Sequence, residues 1–167
     1  MATLPTFLEL AVVQWRPMQT DDVAYVAALE AQIHAAPWTL ANFRDALAAG
    51  YSARVGEREG RIVAYGVLMP APGEAQLLNL SVVPDARRAG LGRKLLVQFL
   101  IDAQRLNAEQ VFLEVRVSNI AAIALYECTG FERIARRVAY YPATSLSVSR
   151  EDALVMRRRF EGNLPSL

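Results

Sequence analysis

The 167 residues hold a single cysteine, Cys128, and a single histidine, His34. One cysteine excludes an internal disulfide and fits a reducing compartment. On a helical segment its ordinary use is as a small buried apolar residue rather than a nucleophile. The lone His34 has no cysteine or acidic cluster around it, so no metal site is expected. Charge of one sign is missing too: 18 Lys and Arg stand against 17 Asp and Glu, a formal net charge of +1. Nothing in that balance argues for a nucleic acid or a membrane surface as partner. The longest apolar run, Ile62 to Met69, is far too short to span a bilayer. The first residues carry no basic region, and Glu9 interrupts their apolar stretch, so they do not read as a signal peptide. These absences predict a cytoplasmic, metal-free protein, and its length predicts one domain over residues 1–167.

Both common nucleotide loops are absent as well. There is no Gly-Lys-Ser/Thr ending of a P-loop, and no Gly-x-Gly-x-x-Gly. What stands in their place is Arg87-Arg88-Ala89-Gly90-Leu91-Gly92. An apolar strand pattern, Leu77 to Val83, precedes it and is closed by Pro84. An amphipathic helix pattern follows, with Leu91, Leu95, Phe99 and Leu106 on one side. A strand that turns through glycines into a helix gathers free backbone N–H groups and the positive end of the helix dipole at one point. Such a point suits a pyrophosphate, although an ordinary strand-to-helix turn accounts for the segment taken alone. Arginines and amides without a metal-binding hydroxyl point toward a ligand such as coenzyme A.

The rest of the chain predicts alternating elements. A strand is expected at Val12–Arg16, then a helix at about Asp21–Ile33 capped by Thr20, and a second helix capped by Thr39 and ending at Gly50. Tyr51–Glu57 and Arg61–Met69 read as a hairpin, with a loop at Pro70–Gly73 and a strand at Glu74–Val83. After the long helix come a strand at Gln110–Val117 and a helix from the cap Asn119 to Cys128, stopped by Gly130. Strands at Phe131–Tyr140 and Ala153–Phe160 flank a loop at Pro142–Arg150, and Gly162–Leu167 reads as a mobile tail. The expected fold is therefore α/β: a mixed sheet of about seven strands between two helical layers. Its fourth and fifth strands, joined by a helix, should be parallel with a right-handed crossover.

This order, with Arg-x-x-Gly-x-Gly opening the third helix, resembles the GNAT superfamily of acetyl-coenzyme A-dependent N-acetyltransferases. Leu113 to Asn119, Ala121 to Glu127 and Gly130-Phe131 narrow the likeness to the protein N-terminal acetyltransferases, most of all the bacterial ribosomal-protein-alanine enzymes. Ala36-Pro37-Trp38-Thr39, Tyr140-Tyr141-Pro142 and Glu151-Asp152-Ala153 agree, so the resemblance covers roughly residues 12 to 160. The Pro142–Glu151 loop departs from it, being longer than usual and free of glycine.

Strand alternation puts Phe112, Glu114 and Arg116 on one face. Read from the residues alone, Glu114 is a surface charge paired with an arginine such as Arg116, and Tyr126 is a core aromatic. The resemblance implies instead that Glu114 is the general base and Tyr126 the general acid. It also implies that the backbones of Leu80 and Val82 pair with the pantetheine arm where the fourth and fifth strands splay. Val82 N–H would then polarise the thioester carbonyl, Asn119 would touch the coenzyme arm, and Arg87, Arg88 and Arg93 would neighbour its phosphates beside Ala89, Gly90, Leu91 and Gly92. Trp38, Tyr140 and Tyr141 either line the acceptor cleft or pack the core. The implied acceptor is a protein N-terminus, first of all a ribosomal protein beginning with alanine, and the implied assembly is a monomer or weak dimer. Two other readings stand beside this one: acetylation of lysine or a small amine, and a non-catalytic acetyl-coenzyme A sensor.

Overall fold

Seven strands form one sheet in the computed structural model, which describes residues 12–145 and 147–161. The strands are β1 Gln14–Pro17, β2 Ser52–Arg58, β3 Arg61–Ala71, β4 Glu74–Val82, β5 Gln110–Arg116, β6 Glu132–Tyr141 and β7 Glu151–Arg159. The helices are α1 Val23–Ile33, α2 Leu40–Ala48, α3 Leu91–Arg105 and α4 Ile120–Cys128. The sheet order is β1-β2-β3-β4-β5-β7-β6. Among paired strands only β4 and β5 run parallel; the single helix α3 between them carries the chain back to the end of the sheet where β4 began.

Two cores result. Val23, Val26, Phe43 and Ala46 of α1 and α2 pack on Val55, Tyr65 and Val67. Leu95, Leu96, Phe99 and Ala103 of α3, with Ile123 and Tyr126 of α4, pack with Leu68, Leu77, Leu113 and Met156. Asp102 ties α3 to the sheet: its carboxylate accepts from Ser52 Oγ at 2.7 Å, Arg54 Nε at 2.5 Å and Arg54 Nη2 at 2.7 Å.

Thr39 and Asn119 cap α2 and α4 as expected, accepting from Asn42 N–H and Ala122 N–H, each at 3.2 Å. Thr20 does not cap α1. The Asp22 carboxylate takes the Gln19 N–H at 2.7 Å while Arg16 holds its two oxygens, and the first turn tightens into a 3-10 turn over Thr20–Asp22. Pro70 and Ala71 extend β3 rather than opening a loop, since Pro70 sits opposite Ala75 in the ladder. Likewise β7 begins at Glu151, which pairs with Tyr141, two residues before the expected Ala153, while the loop spans Pro142–Arg150 as expected. Cys128 is exposed, not buried. It stands two residues, about 200° of helix rotation, beyond the buried Tyr126. The tail expected at Gly162–Leu167 lies outside the described residues.

Candidate functional site

A bulge in β4 opens the sheet. Val67 of β3 faces Asn79, and Leu68 faces Leu77, so Leu78 is an extra residue on β4. A bulge bends its strand, and here the bend coincides with the end of pairing between β4 and β5 at Leu77↔Leu113. Beyond that point β4 stays with β3 as far as Val82↔Ala64, while β5 stays with β7 as far as Arg116↔Ala153. The two strands therefore part and leave facing unpaired edges. Val83 N–H donates to Val63 C=O at 3.0 Å; alternation then turns the N–H groups of Val82 and Leu80 to the open side. Arg87 Nε donates to Val82 C=O at 3.0 Å on that edge.

At the end of β4 the chain turns into α3. Gly90 holds the left-handed φ of 74° at its N-terminus, and Arg88 has a φ of 62°. The first hydrogen bond of the helix runs from Lys94 N–H to Gly90 C=O, which leaves the N–H groups of Leu91, Gly92 and Arg93 open. The open strand edge, the free helix terminus and the arginines line a cleft of about 870 Å³, which Leu80, Val82, Arg87, Arg88, Gly90, Leu91, Gly92, Arg93 and Asn119 share with Tyr126. Extended amide donors leading to a cationic helix terminus fit a long ligand with an amide-bearing arm and a diphosphate. Among the described residues no cluster of His, Cys, Asp and Glu could hold a metal ion.

A second cleft, about 240 Å³, adjoins the first on the other side of the splay and is lined by Trp38, Glu114, Arg116 and Tyr141 among others. Five residues line both: His34, Leu80, Ser81, Asn119 and Tyr126. Two of the sequence-expected residues fall outside both linings, Ala89 in the turn and Tyr140. Tyr140 instead gives its hydroxyl to Glu114, which raises the phenol's pKa.

Glu114 is mostly covered and pairs with Arg137 Nε at 3.0 Å. The expected partner Arg116 turns away, to Glu151 at 3.1 Å and over the Tyr141 ring at 4.2 Å. The Tyr126 ring packs against Phe131 at a centroid distance of 5.7 Å, and its hydroxyl has no hydrogen-bond partner among the described residues. Burial, then the neighbouring Tyr141, push its pKa well above the ordinary tyrosine value. Burial and the Glu114 charge push Tyr141 up to about 12. Tyr126 thus remains a protonated phenol at neutral pH, open to both clefts. The arrangement can place an extended thioester along β4, a carboxylate on one wall and a phenol near the point where the clefts meet.

The sequence reading missed a buried polar network on the wall facing Glu114. Glu30 is 2% exposed, and its carboxylate accepts from Tyr65 Oη at 2.7 Å, Asn79 Nδ2 at 3.1 Å and Trp38 N–H at 3.2 Å. His34 is therefore not isolated from acids, since its Nε2 lies 3.5 Å from Glu30 Oε2. The four-residue spacing of Glu30 and His34 was the available signal; the burial of Glu30 beside Val23 and Val26 was not visible in the chain.

Residues 11–131 match the Acetyltransferase (GNAT) family. The [Ribosomal protein bS18]-alanine N-acetyltransferase of Escherichia coli K12 is 36% identical over 139 residues, which is 83% of this chain and 92% of that protein. The N-alpha-acetyltransferase RimI of Mycobacterium tuberculosis is 38% identical over 144 residues, 82% of this chain and 86% of that protein. The crystal structure of the Escherichia coli ribosomal-protein-S18-alanine N-acetyltransferase superposes with a TM-score of 0.83 at 32% identity, covering 93% of this chain and 100% of that one.

Proposed function

Because the chain belongs to the acetyltransferase (GNAT) family, we propose that it transfers the acetyl group of acetyl-coenzyme A to the N-terminal α-amine of a protein. The first-choice acceptor is a ribosomal protein beginning with alanine, in the cytoplasm, with the enzyme acting as a single domain and as a monomer or weak dimer. The observation that carries the reading is the meeting of the two clefts, with the unpaired β4 edge and Tyr126 shared between them and Glu114 on the far wall. The relatives support it, since those named for the alanine of protein bS18 match over most of their length.

In this reading the pantetheine arm pairs with Leu80 and Val82 as an added strand, and the diphosphate rests on the N-terminus of α3 among Arg87, Arg88 and Arg93. Val82 N–H, having no strand partner among the described residues, donates to the thioester carbonyl and stabilises the oxyanion as the amine attacks. Glu114 takes a proton from the nitrogen, and Tyr126 gives its phenolic proton to the departing thiolate. An α-amine, with a pKa of about 7.7–8.0, needs far less help than lysine at about 10.4. Trp38 and Tyr141 form walls beside the acceptor's first residue.

The test is a rate comparison with acetyl-coenzyme A and three acceptors. A short peptide with a free N-terminal alanine should react faster than the same peptide blocked at its N-terminus and carrying an internal lysine, and faster than a polyamine. Faster reaction of the blocked peptide or the polyamine would refute N-terminal specificity, leaving the acetyltransferase assignment in place.

A further inference from the structure

Glu114 has a counterpart across the acceptor cleft. We propose that His34 is a second catalytic proton acceptor for the incoming N-terminal ammonium, held in one tautomer by the buried network around Glu30. This rests on the N-terminal acetylation reading above.

The hydrogen-bond directions follow from the bond that Ser81 gives to Asn79. Asn79 Nδ2 donates to Glu30 Oε1 at 3.1 Å, so the amide oxygen of Asn79 faces Ser81, whose hydroxyl donates to it at 3.2 Å. Ser81 has no second hydrogen to give. The 2.8 Å contact between Ser81 Oγ and His34 Nε2 must then be donated by the ring. In the neutral imidazole, Nδ1 is consequently the accepting nitrogen, and it has no partner among the described residues. The side chain is 40% exposed and lines both clefts, so the ring is not core filler. Glu30 Oε2, 3.5 Å from Nε2 and itself only 2% exposed, stands ready to balance the charge of a second ring proton. The other titratable groups on the walls around His34 are Tyr65 on β3, Glu114 and Arg116 on β5, Tyr126 on α4, Tyr141 on β6, Arg87 and Arg88 in the turn after β4, and Arg93 on α3.

The chemistry calls for two acceptors. An arriving ammonium has three N–H bonds, and the amide product keeps one. One proton must leave before attack, so that the nitrogen lone pair can form the C–N bond. The second leaves as the tetrahedral intermediate collapses, when the C–S bond breaks and its electron pair goes to sulfur. The thiolate takes a proton from Tyr126, which the second nitrogen proton then restores. His34 Nδ1 takes the first proton and releases it to solvent; Glu114 takes the second. Atoms and charge balance as ammonium and thioester going to amide, thiol and one released proton.

The experiment measures kcat/KM for the N-terminal alanine peptide from pH 6 to pH 9.5 in wild type, His34→Gln and His34→Ala. Glutamine can still donate to Ser81 but has no basic nitrogen. Without a base for the first proton only neutral amine reacts, and about a tenth of it is neutral at pH 7. His34→Gln should therefore be about tenfold slower at pH 7, further impaired at pH 6 and near wild type above pH 9. Added imidazole should restore His34→Ala at pH 7. Melting temperature should match wild type in His34→Gln, which keeps a donor to Ser81, and the shift on acetyl-coenzyme A binding should match wild type in both variants. A deficit equal at every pH without imidazole rescue, or no deficit at all, overturns the proposal while acetylation by wild type stands. A wild type inactive on the peptide overturns the acetylation reading and this inference with it.

Discussion

Two alanine substitutions two positions apart at the start of α3 should move stability in opposite directions and coenzyme binding in the same one. Gly90 has a φ of 74°, and a Cβ built there meets no atom within 4 Å. Its cost is purely conformational, about 1 kcal/mol for a side chain in the left-handed region. Gly92 is an ordinary helical residue whose added Cβ would lie 3.4 Å from Leu125 Cδ2 and 3.8 Å from Val82 Cγ2, both normal contacts. There alanine gains helix propensity, up to about 1 kcal/mol. At this chain length roughly 2–4 °C of melting temperature correspond to 1 kcal/mol. Gly90→Ala should thus melt a few degrees early, and Gly92→Ala at or slightly above wild type. Acetyl-coenzyme A at a hundredfold excess over its dissociation constant adds about 2.7 kcal/mol to wild type. If the new methyl groups stand where phosphate oxygens approach and weaken binding tenfold, each variant loses about 1.4 kcal/mol of that. Differential scanning fluorimetry with and without ligand reads both effects. An undiminished ligand shift in both variants would refute the assignment of this loop to the coenzyme. A Gly92→Ala protein destabilised by more than about 1 kcal/mol would refute the spacing argument.

Tyr126→Phe should lower kcat by about a hundredfold while leaving coenzyme affinity and folding stability nearly unchanged, because the hydroxyl makes no hydrogen bond among the described residues and the ring contact with Phe131 survives; a wild-type kcat would return Tyr126 to a packing role. Glu114→Gln should lower kcat/KM by roughly 10²–10⁴-fold, as measured by steady-state kinetics, and an unchanged rate would leave Glu114 as the ion-pair partner of Arg137 alone. Acid should unfold the protein partly through Asp102. Burial pushes that carboxyl up, but Arg54 and Ser52 outweigh it and hold it below the ordinary aspartate value. A depressed folded pKa contributes stability above the unfolded value of about 3.9 that is lost as pH falls through the folded value. Denaturant titrations of wild type and Asp102→Ala should therefore differ by about 3 kcal/mol at pH 7 and converge below about pH 4; curves that stay parallel to pH 2 would refute this.

The elements themselves were legible because their signals are local. Alternation in Gln110–Arg116, the caps Thr39 and Asn119, and the turn through Gly90 act within a few residues. The family likeness rested on blocks of the same kind. Where a second group competed for the same hydrogen bond, local reading failed: Asp22, clamped by Arg16, displaced Thr20 at the start of α1.

What tertiary structure alone decided is the site's interior. That Leu78 bulges depends on β3 offering one residue fewer opposite it. That Glu114 meets Arg137 and Tyr140 rather than Arg116 depends on where β6 lies relative to β5 across β7. The Glu30–Tyr65–Asn79–Ser81–His34 network joins groups as far apart as 49 positions in the chain. A strand or a cap is set by neighbours within hydrogen-bond reach along the backbone. A buried charge finds its partners only after the sheet has closed and water has gone, so its meaning lies in contacts that no window of sequence contains.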